Sequence, residues 1–189
     1  MNCINENIKK ILTIVEPDAY LADLYKICLR KVQTGSLVVI LTCQKFDISR
    51  LSPIKEMRIS KEQMKSLIVI YYKSIDEITQ KLLDLHEWSL LPALVVVDLA
   101  GALASTMHLK TISLCAASFW DYLHSIVIQR ENRCKNITFT LPVYGIFIVR
   151  KEKEYFNELH LEMLRSLYFY RDVVVESILD IEDFLGSEI

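Results

Sequence analysis

The turn after the first predicted strand is the place where this sequence could bind a phosphate. Phosphate-binding loops carry G-x-x-x-x-G-K-[ST] there, because bare backbone amides and a lysine must surround the phosphate oxygens. Here the turn holds Glu16, Pro17 and Asp18, and residues 19–23 contain no glycine, lysine, serine or threonine. The proline removes an amide donor, and the acids repel a polyphosphate. The segment predicts a degenerate nucleotide site, with an ordinary strand-to-helix turn as the alternative.

A second chemical feature is the acid that ends an apolar run. Asp98 closes the run ALVVVD (residues 93–98), which is typical of a strand buried on both faces. A carboxylate in this position holds Mg²⁺ through water in nucleotide hydrolases. An acid at the end of a buried parallel strand can also simply cap the turn that follows, and this alternative remains open. We assign Asp98 to the degenerate nucleotide site.

A basic segment follows the last long β-rich run. Arg150, Lys151 and Lys153 stand where cationic side chains could neutralise phosphates, with Tyr155 and Phe156 nearby to stack on bases. The alternative is a solvated helix start, because glutamates are interleaved with the lysines. The three basic residues are our predicted DNA-binding site.

The composition does not indicate metal or thiol catalysis. The chain has five cysteines and four histidines, and neither set has metal-ligand or C-x-x-C spacing. The odd number of cysteines favours free thiols in a reducing compartment. The net charge of -2 provides no overall attraction to nucleic acid or anionic membranes, so such contact needs a local patch. We therefore predict no catalytic residue, no metal, no cofactor and no membrane contact.

The elements that position these residues alternate between β-rich runs and helical patterns. With 189 residues, of which 52% are hydrophobic, the chain fits a single domain over residues 1–189. Strands are predicted at 11–15, 37–42, 66–72, 93–98 and 144–149, with shorter β pieces at 172–175 and 177–181. Helices are predicted from Pro17, from the capping box at 74–77, over 109–129 and over 154–168. This alternation predicts an α/β fold with a mostly parallel sheet flanked by helices.

The order of the segments resembles the RecA-type recombinase paralogues. The resemblance is carried by LVVILT, a segment ending in MRIS, SLIVIYYKSIDEITQKLLDL, LLPALVVVDLAGAL, a long helix and YGIFIVRKEK, over residues 11–181. It is greatest to the small ATPase-like partner of SWIM-domain proteins in the Shu complex. The sequence departs from active recombinases in lacking the phosphate loop and the F-x-x-A polymerisation motif. It also has Arg150 at the position of a polar γ-phosphate sensor.

The resemblance implies a RecA-like fold with a degenerate P-loop, in a nuclear protein. It also implies a heteromer with a SWIM-domain zinc protein or another recombinase paralogue, and contact with single-stranded DNA. The predicted last helix carries more apolar residues than one face can bury. For this reason we assign the partner interface to Phe156, Leu159, Met163, Leu167 and Tyr168.

The leading functional hypothesis is a non-catalytic RecA-like subunit that assists recombinase assembly on single-stranded DNA in homologous recombination and DNA repair. One alternative is a nucleotide-binding ATPase with an unorthodox phosphate site, supported by Asp98. The other is an α/β protein-interaction adaptor unrelated to DNA. Nucleotide binding separates the first two, and the identity of the partner separates the first from the third.

Overall fold

The computed structural model describes residues 7–15, 20–45, 57–133, 142–151, 154–170 and 172–175, with residues 178, 180 and 181. The strands are β1 (Ile8–Ile14), β2 (Val38–Thr42), β3 (Leu67–Tyr71), β4 (Leu94–Asp98), β5 (Val143–Val149) and β6 (Val173–Val175). The α-helices are α1 (Leu21–Gln33), α2 (Lys61–Met64), α3 (Ile75–Asp84), α4 (Leu109–Arg133) and α5 (Glu158–Tyr168).

The strands form one parallel sheet in the order β3-β2-β4-β5-β1-β6. The predicted α/β fold with helices around a mostly parallel sheet is confirmed. Strand β5 lies between β1 and β4, so the segments that follow β1 and β4 emerge on either side of a central strand. Because the strands are parallel, all their carboxyl ends lie along one edge, where open α/β sheets place their ligands.

The two faces of the sheet are both covered, which explains the continuous apolar runs. On β4, Val95 and Val97 pack with α3, α4 and α5, whereas Leu94 and Val96 pack with α1. Side chains alternate along a strand, so Asp98 belongs to the same face as Val96. This alternation turns the carboxylate toward the layer that contains α1.

The capping signal at Ser74 correctly predicts the start of α3. The Ser74 hydroxyl accepts a hydrogen bond from the Glu77 amide at 3.2 Å, and the Glu77 carboxylate accepts one from the Lys73 amide at 2.9 Å. In a standard capping box the glutamate would accept a hydrogen bond from the Ser74 amide, whereas here it accepts one from the amide one residue earlier. The apolar face of the helix is buried against the core.

Helix α4 is longer than predicted, ending at Arg133 instead of residue 129. By length and composition it is apolar enough to cross a membrane, but half of its most apolar window is buried inside the fold. A helix that forms part of a protein core meets the same criteria. Here α4 packs against α3, α5 and the sheet, and its buried side chains belong to the larger core cluster.

Strand β1 begins at Ile8 rather than residue 11, and two further predictions differ from the structure. The β piece expected at residues 177–181 is wrong, since Ile178, Asp180 and Ile181 are helical. A five-residue apolar run fits one helical turn as well as a strand, and Ile178 and Ile181 lie on one helical face in the core beside α1. The last long helix begins at Glu158 rather than residue 154, because Asn157 provides its N-cap.

Candidate functional site at the carboxyl edge of the sheet

Two polar side chains meet where β2 and β4 end. Thr42 and Asp98 are directly paired in the register of these strands, so both lie on the α1 face of the carboxyl edge. The Thr42 hydroxyl donates a hydrogen bond to Asp98 Oδ2 at 2.8 Å, and the Ala100 amide donates to Oδ1 at 3.1 Å. Asp98 is only 1% exposed. Strand register and the turn after β4 therefore each give the buried carboxylate one protein donor.

The third donor comes from the other side of β5. Tyr20 precedes α1, and its hydroxyl lies 2.8 Å from Oδ1 and 3.0 Å from Oδ2 of Asp98. The phenol therefore contacts both oxygens of the carboxylate that we assigned to the degenerate nucleotide site. Of the predicted degenerate site, the structure describes Asp98, whereas Glu16, Pro17 and Asp18 lie outside the described residues.

Burial and hydrogen bonding act in opposite directions on the pKa of Asp98. Burial raises the pKa, and the hydrogen bonds from Tyr20, Thr42 and the Ala100 amide oppose that rise. The Tyr20 hydroxyl also lies 3.2 Å from Gln44 Oε1, so the same phenol reaches the segment after β2. Protein groups thus contact both oxygens of the Asp98 carboxyl group.

The turns around this site are in close contact. A Cβ atom on Gly101 would lie 2.5 Å from Gln44 Cβ and 2.9 Å from Gln44 Cα and N. Glycine is therefore required here because the turn after β4 presses on the segment after β2. We call the four residues Tyr20, Thr42, Gln44 and Asp98, with the turn through Gly101, the edge cluster.

The predicted DNA-binding residues are held by neighbours in the fold. Arg150 follows β5, and its Nη2 donates to the carbonyl oxygen of Ala102 at 2.9 Å. Lys151 is exposed and pairs with Glu158 at 2.6 Å. Lys153 lies outside the described residues. The structure thus gives Arg150 a role in joining the turns after β4 and β5, and it leaves Lys151 at the surface.

A second contact joins the same two segments. The rings of His108 and Tyr155 meet edge to face, with centroids 5.4 Å apart. Tyr155, which we expected near the basic segment as a base-stacking residue, therefore packs against the residue that precedes α4. In the described part of the chain no group of three or more His, Cys, Asp or Glu residues could hold a metal ion.

The described cysteines do not have the character of nucleophiles. Burial raises the pKa of Cys28, Cys43 and Cys115 to about 12. All three are free thiols, as predicted. At neutral pH they stay protonated, and a protonated thiol is a poor nucleophile.

The predicted interface residues separate into two groups. Phe156 is fully buried in the core and Tyr168 is partly buried against it. Leu159, Met163 and Leu167 are 68%, 43% and 65% exposed on α5. The first group stabilises the fold, and only the second is available to a partner.

Of the edge cluster, sequence reasoning identified only Asp98, and it also missed the environment of Lys10. Lys10 lies in β1, almost fully buried, where Nζ donates to the Tyr168 carbonyl at 2.7 Å and pairs with Asp172 at 3.0 Å. The same ammonium lies 3.2 Å from the centroid of the Trp120 ring. Nothing in a single sequence indicates these contacts, because the partners are more than 100 positions away.

The strand order of the parallel sheet and the helices on both of its faces form a RecA-like α/β fold. Comparison with solved structures agrees on the fold. The RadB recombinase superposes with a TM-score of 0.51 and 16% identity, over 75% of this chain and 61% of RadB. The chain thus spans less than two thirds of the RadB length. No protein-family model matches the sequence, and a search of curated proteins finds no significant match.

Proposed function

We propose that this chain is a non-catalytic RecA-like subunit of a heteromeric complex that supports homologous recombination and DNA repair. Its role is to assist recombinase assembly on single-stranded DNA. The fold supports the recombination context, since the similar structure is that of a recombinase. The finer role, together with a nuclear location, rests on the resemblance to recombinase paralogues that partner SWIM-domain proteins.

One observation carries the non-catalytic part of the proposal. The acid that would hold hydrated Mg²⁺ is buried and bonded by Tyr20, Thr42 and the Ala100 amide. A carboxylate must face solvent or substrate to hold a metal through water. To recover that role, Asp98 would have to lose the Tyr20 phenol and expose a buried group, which costs free energy.

The subunit role is supported by the surface of α5. Leu159, Met163 and Leu167 form an exposed apolar row on the outside of a helix that already buries another face. Single exposed leucines are ordinary on protein surfaces, whereas a row on one helix face is typical of an interaction surface. We propose a SWIM-domain zinc protein or another recombinase paralogue as the partner.

Direct DNA contact is proposed for Lys151 and Lys153. Lys151 is 43% exposed, and its ion pair with Glu158 is a surface pair of the kind that contributes little to stability. A phosphate can therefore replace the glutamate at small cost. Arg150 contributes indirectly, since its guanidinium donates to the Ala102 carbonyl and so fixes the chain next to Lys151.

The test is complementation in cells that lack this chain. We expect fewer recombinase foci after double-strand breaks in these cells, and equal rescue by the wild type and by Asp98→Asn. Co-expression with a SWIM-domain zinc protein should give a heteromer of defined mass by light scattering. Unchanged foci in the deleted cells would favour an adaptor unrelated to DNA. Failure of a folded Asp98→Asn variant would favour an active ATPase.

A further inference from the structure

Basic side chains gather on two segments that meet near the amino edge of the sheet. Helix α1 and residues 57–65 together hold six basic residues and only two acidic ones, Asp23 and Glu62. The whole chain has a net charge of -2, so this positive charge is local. The basic residues on the outside of these segments, which we call the basic face, are Lys26, Arg30, Arg58, Lys61 and Lys65.

Two hydrogen bonds join these segments into one surface. The side-chain amide of Gln33, at the end of α1, donates to the Met57 carbonyl, and that of Gln63 in α2 donates to the Gln33 carbonyl at 3.3 Å. Lys26 and Arg30 are four residues apart, so they lie one above the other along α1. Strands β2 and β3 begin shortly after α1 and α2 end. The basic face therefore lies at the amino edge, at the opposite end of the strands from the edge cluster.

Arg58 is exposed in a backbone conformation that does not favour an arginine. Its φ is 48°, in the left-handed region that residues other than glycine avoid. Met57 on one side is bonded to α1, and Ile59 on the other packs against the core beside α1. These neighbours set the turn, and a glycine would adopt it more readily. The arginine side chain is not needed to form the turn, so its charge can be removed without loss of the fold.

The cations of the basic face are available to a ligand. Lys26, Arg58, Lys61 and Lys65 have no ion-pair partner in the part of the chain that the structure describes. Arg58 and the two lysines of the α2 segment are exposed. The capping box of α2 already satisfies the amides at its start. An anion bound here is therefore held by the basic side chains and not by the backbone.

The chemistry of the basic face selects one class of ligand. Over the described residues of α1 and 57–65, no large hydrophobic side chain is exposed. A protein interface has an apolar centre, and a helix that lies in a membrane surface has an apolar face. Single-stranded nucleic acid gains affinity by stacking on exposed aromatic rings, and these segments show none. Duplex DNA needs only cations, since it carries about one negative charge per 1.7 Å of its axis.

We propose that the basic face binds the phosphate backbone of duplex DNA without reading its sequence. Contacts to phosphates position a protein on DNA but carry no direct sequence information. The basic face is separate from Lys151, which follows β5 at the carboxyl edge. A subunit with both surfaces holds the duplex that adjoins a single strand. The choice of DNA rests on the proposed function, which this inference deepens by adding a duplex as a second ligand.

The experiment measures binding of the full chain to a fluorescein-labelled duplex of about 20 base pairs, by anisotropy at several salt concentrations. The wild type should bind saturably at low salt. Arg58→Gly with Lys61→Ala should flatten the log–log salt dependence by about 1.8 units, since each phosphate contact contributes roughly 0.9. The matched control, Lys73→Ala with Lys110→Ala, removes the same charge from exposed side chains outside the basic face. This control should leave the slope unchanged.

A second variant separates the effect of charge from any effect on folding. Arg58→Gly should not lower the free energy of unfolding, because glycine readily adopts a φ of 48°. Lys61→Ala with Lys65→Ala leaves the turn at Arg58 unchanged and should flatten the slope by the same amount. The two variants together test the charges whether or not Arg58→Gly alters stability.

Four results would overturn the proposal: no saturable binding by the wild type, an unchanged slope in the second variant, an equal slope change in the control, or equal binding to phosphatidylserine vesicles. Tighter binding to a single strand, weakened by the same variants, would also overturn it, because the basic face would then hold a different ligand. Duplex binding through the basic face together with normal recombinase foci in cells that lack this chain would contradict only the proposed function. Fewer foci with no duplex binding would contradict only this inference.

Discussion

The hydroxyl of Tyr20 lies 2.8 Å from Oδ1 of Asp98. Tyr20 follows β1 and Asp98 ends β4, and β5 lies between these two strands in the sheet. This hydrogen bond joins the start of α1 to the end of β4. Tyr20→Phe removes the donor and leaves a buried carboxyl group with one partner fewer. We expect the free energy of unfolding to fall by about 1–3 kcal/mol, measured by denaturant titration.

The control for Tyr20→Phe is the same change at another buried tyrosine. Tyr122→Phe removes a buried hydroxyl that has no hydrogen-bond partner among the described residues. It should shift the free energy of unfolding by less than about 0.5 kcal/mol. An equally small effect of Tyr20→Phe would mean that the phenol contributes little to holding Asp98.

The pH dependence of stability should identify the protonation state of Asp98. Burial raises its folded-state pKa above the unfolded value of about 3.9. Folding therefore favours the protonated acid, and this contribution is fully present below the unfolded pKa and is lost as pH rises through the folded pKa. The Asp98→Asn variant does not titrate at this position, so it serves as the reference. The free energy of unfolding of the wild type, relative to that of the variant, should fall as the pH rises from the unfolded-state pKa to the folded-state pKa and then level off. A constant difference between the two proteins would show an unshifted pKa.

The Lys10 ion pair should be important for stability, because β1, α4 and the segment after α5 meet there. Lys10→Met leaves Asp172 mostly buried without its cation, and we expect a loss of about 3 kcal/mol. Lys151→Met breaks an exposed pair and should cost under about 1 kcal/mol. Adding Asp172→Asn to Lys10→Met should recover part of the loss, as measured by a double-mutant cycle. Additive losses would contradict the assigned pairing.

DNA binding by the complex should depend on Lys151 and Lys153 through charge alone. Lys151→Ala with Lys153→Ala should flatten the log–log salt dependence of single-stranded DNA affinity by about 1.4 units, since each phosphate contact contributes roughly 0.7. Arg150→Ala should mainly lower stability, because its guanidinium holds the Ala102 carbonyl. Anisotropy at several salt concentrations measures the slope. An unchanged slope in the double variant would assign the DNA contact to the partner.

Much of the fold was predictable because the local signals agree with one another. The run of valines before Asp98 is buried on both faces, and the Ser74 cap marks where α3 begins. Short apolar segments fit a helical turn as well as a strand, and residues 178, 180 and 181 are helical. The Asn157 cap was also overlooked, which moved the predicted start of α5 by one turn.

The site was predictable only in part, for a physical reason. Asp98 stands out because an acid ends an apolar strand, whereas its bond to Tyr20 depends on the strand order and connects positions 78 apart. The same limit applies to Phe156, assigned to the surface from its neighbours in sequence but buried in the core. The exposed leucines of α5 could be predicted, because helical spacing alone gives the helix two apolar faces.

The most direct test of the non-catalytic assignment is calorimetric titration of the purified full chain with Mg²⁺ and ATP. We predict no saturable heat up to about 1 mM ATP, because the Tyr20 and Thr42 hydroxyls already form hydrogen bonds with the Asp98 carboxyl group. A dissociation constant of about 1 mM corresponds to a binding free energy of only about 4 kcal/mol. Saturable binding at sub-millimolar ATP that requires Mg²⁺ and is lost in Asp98→Ala would contradict the account.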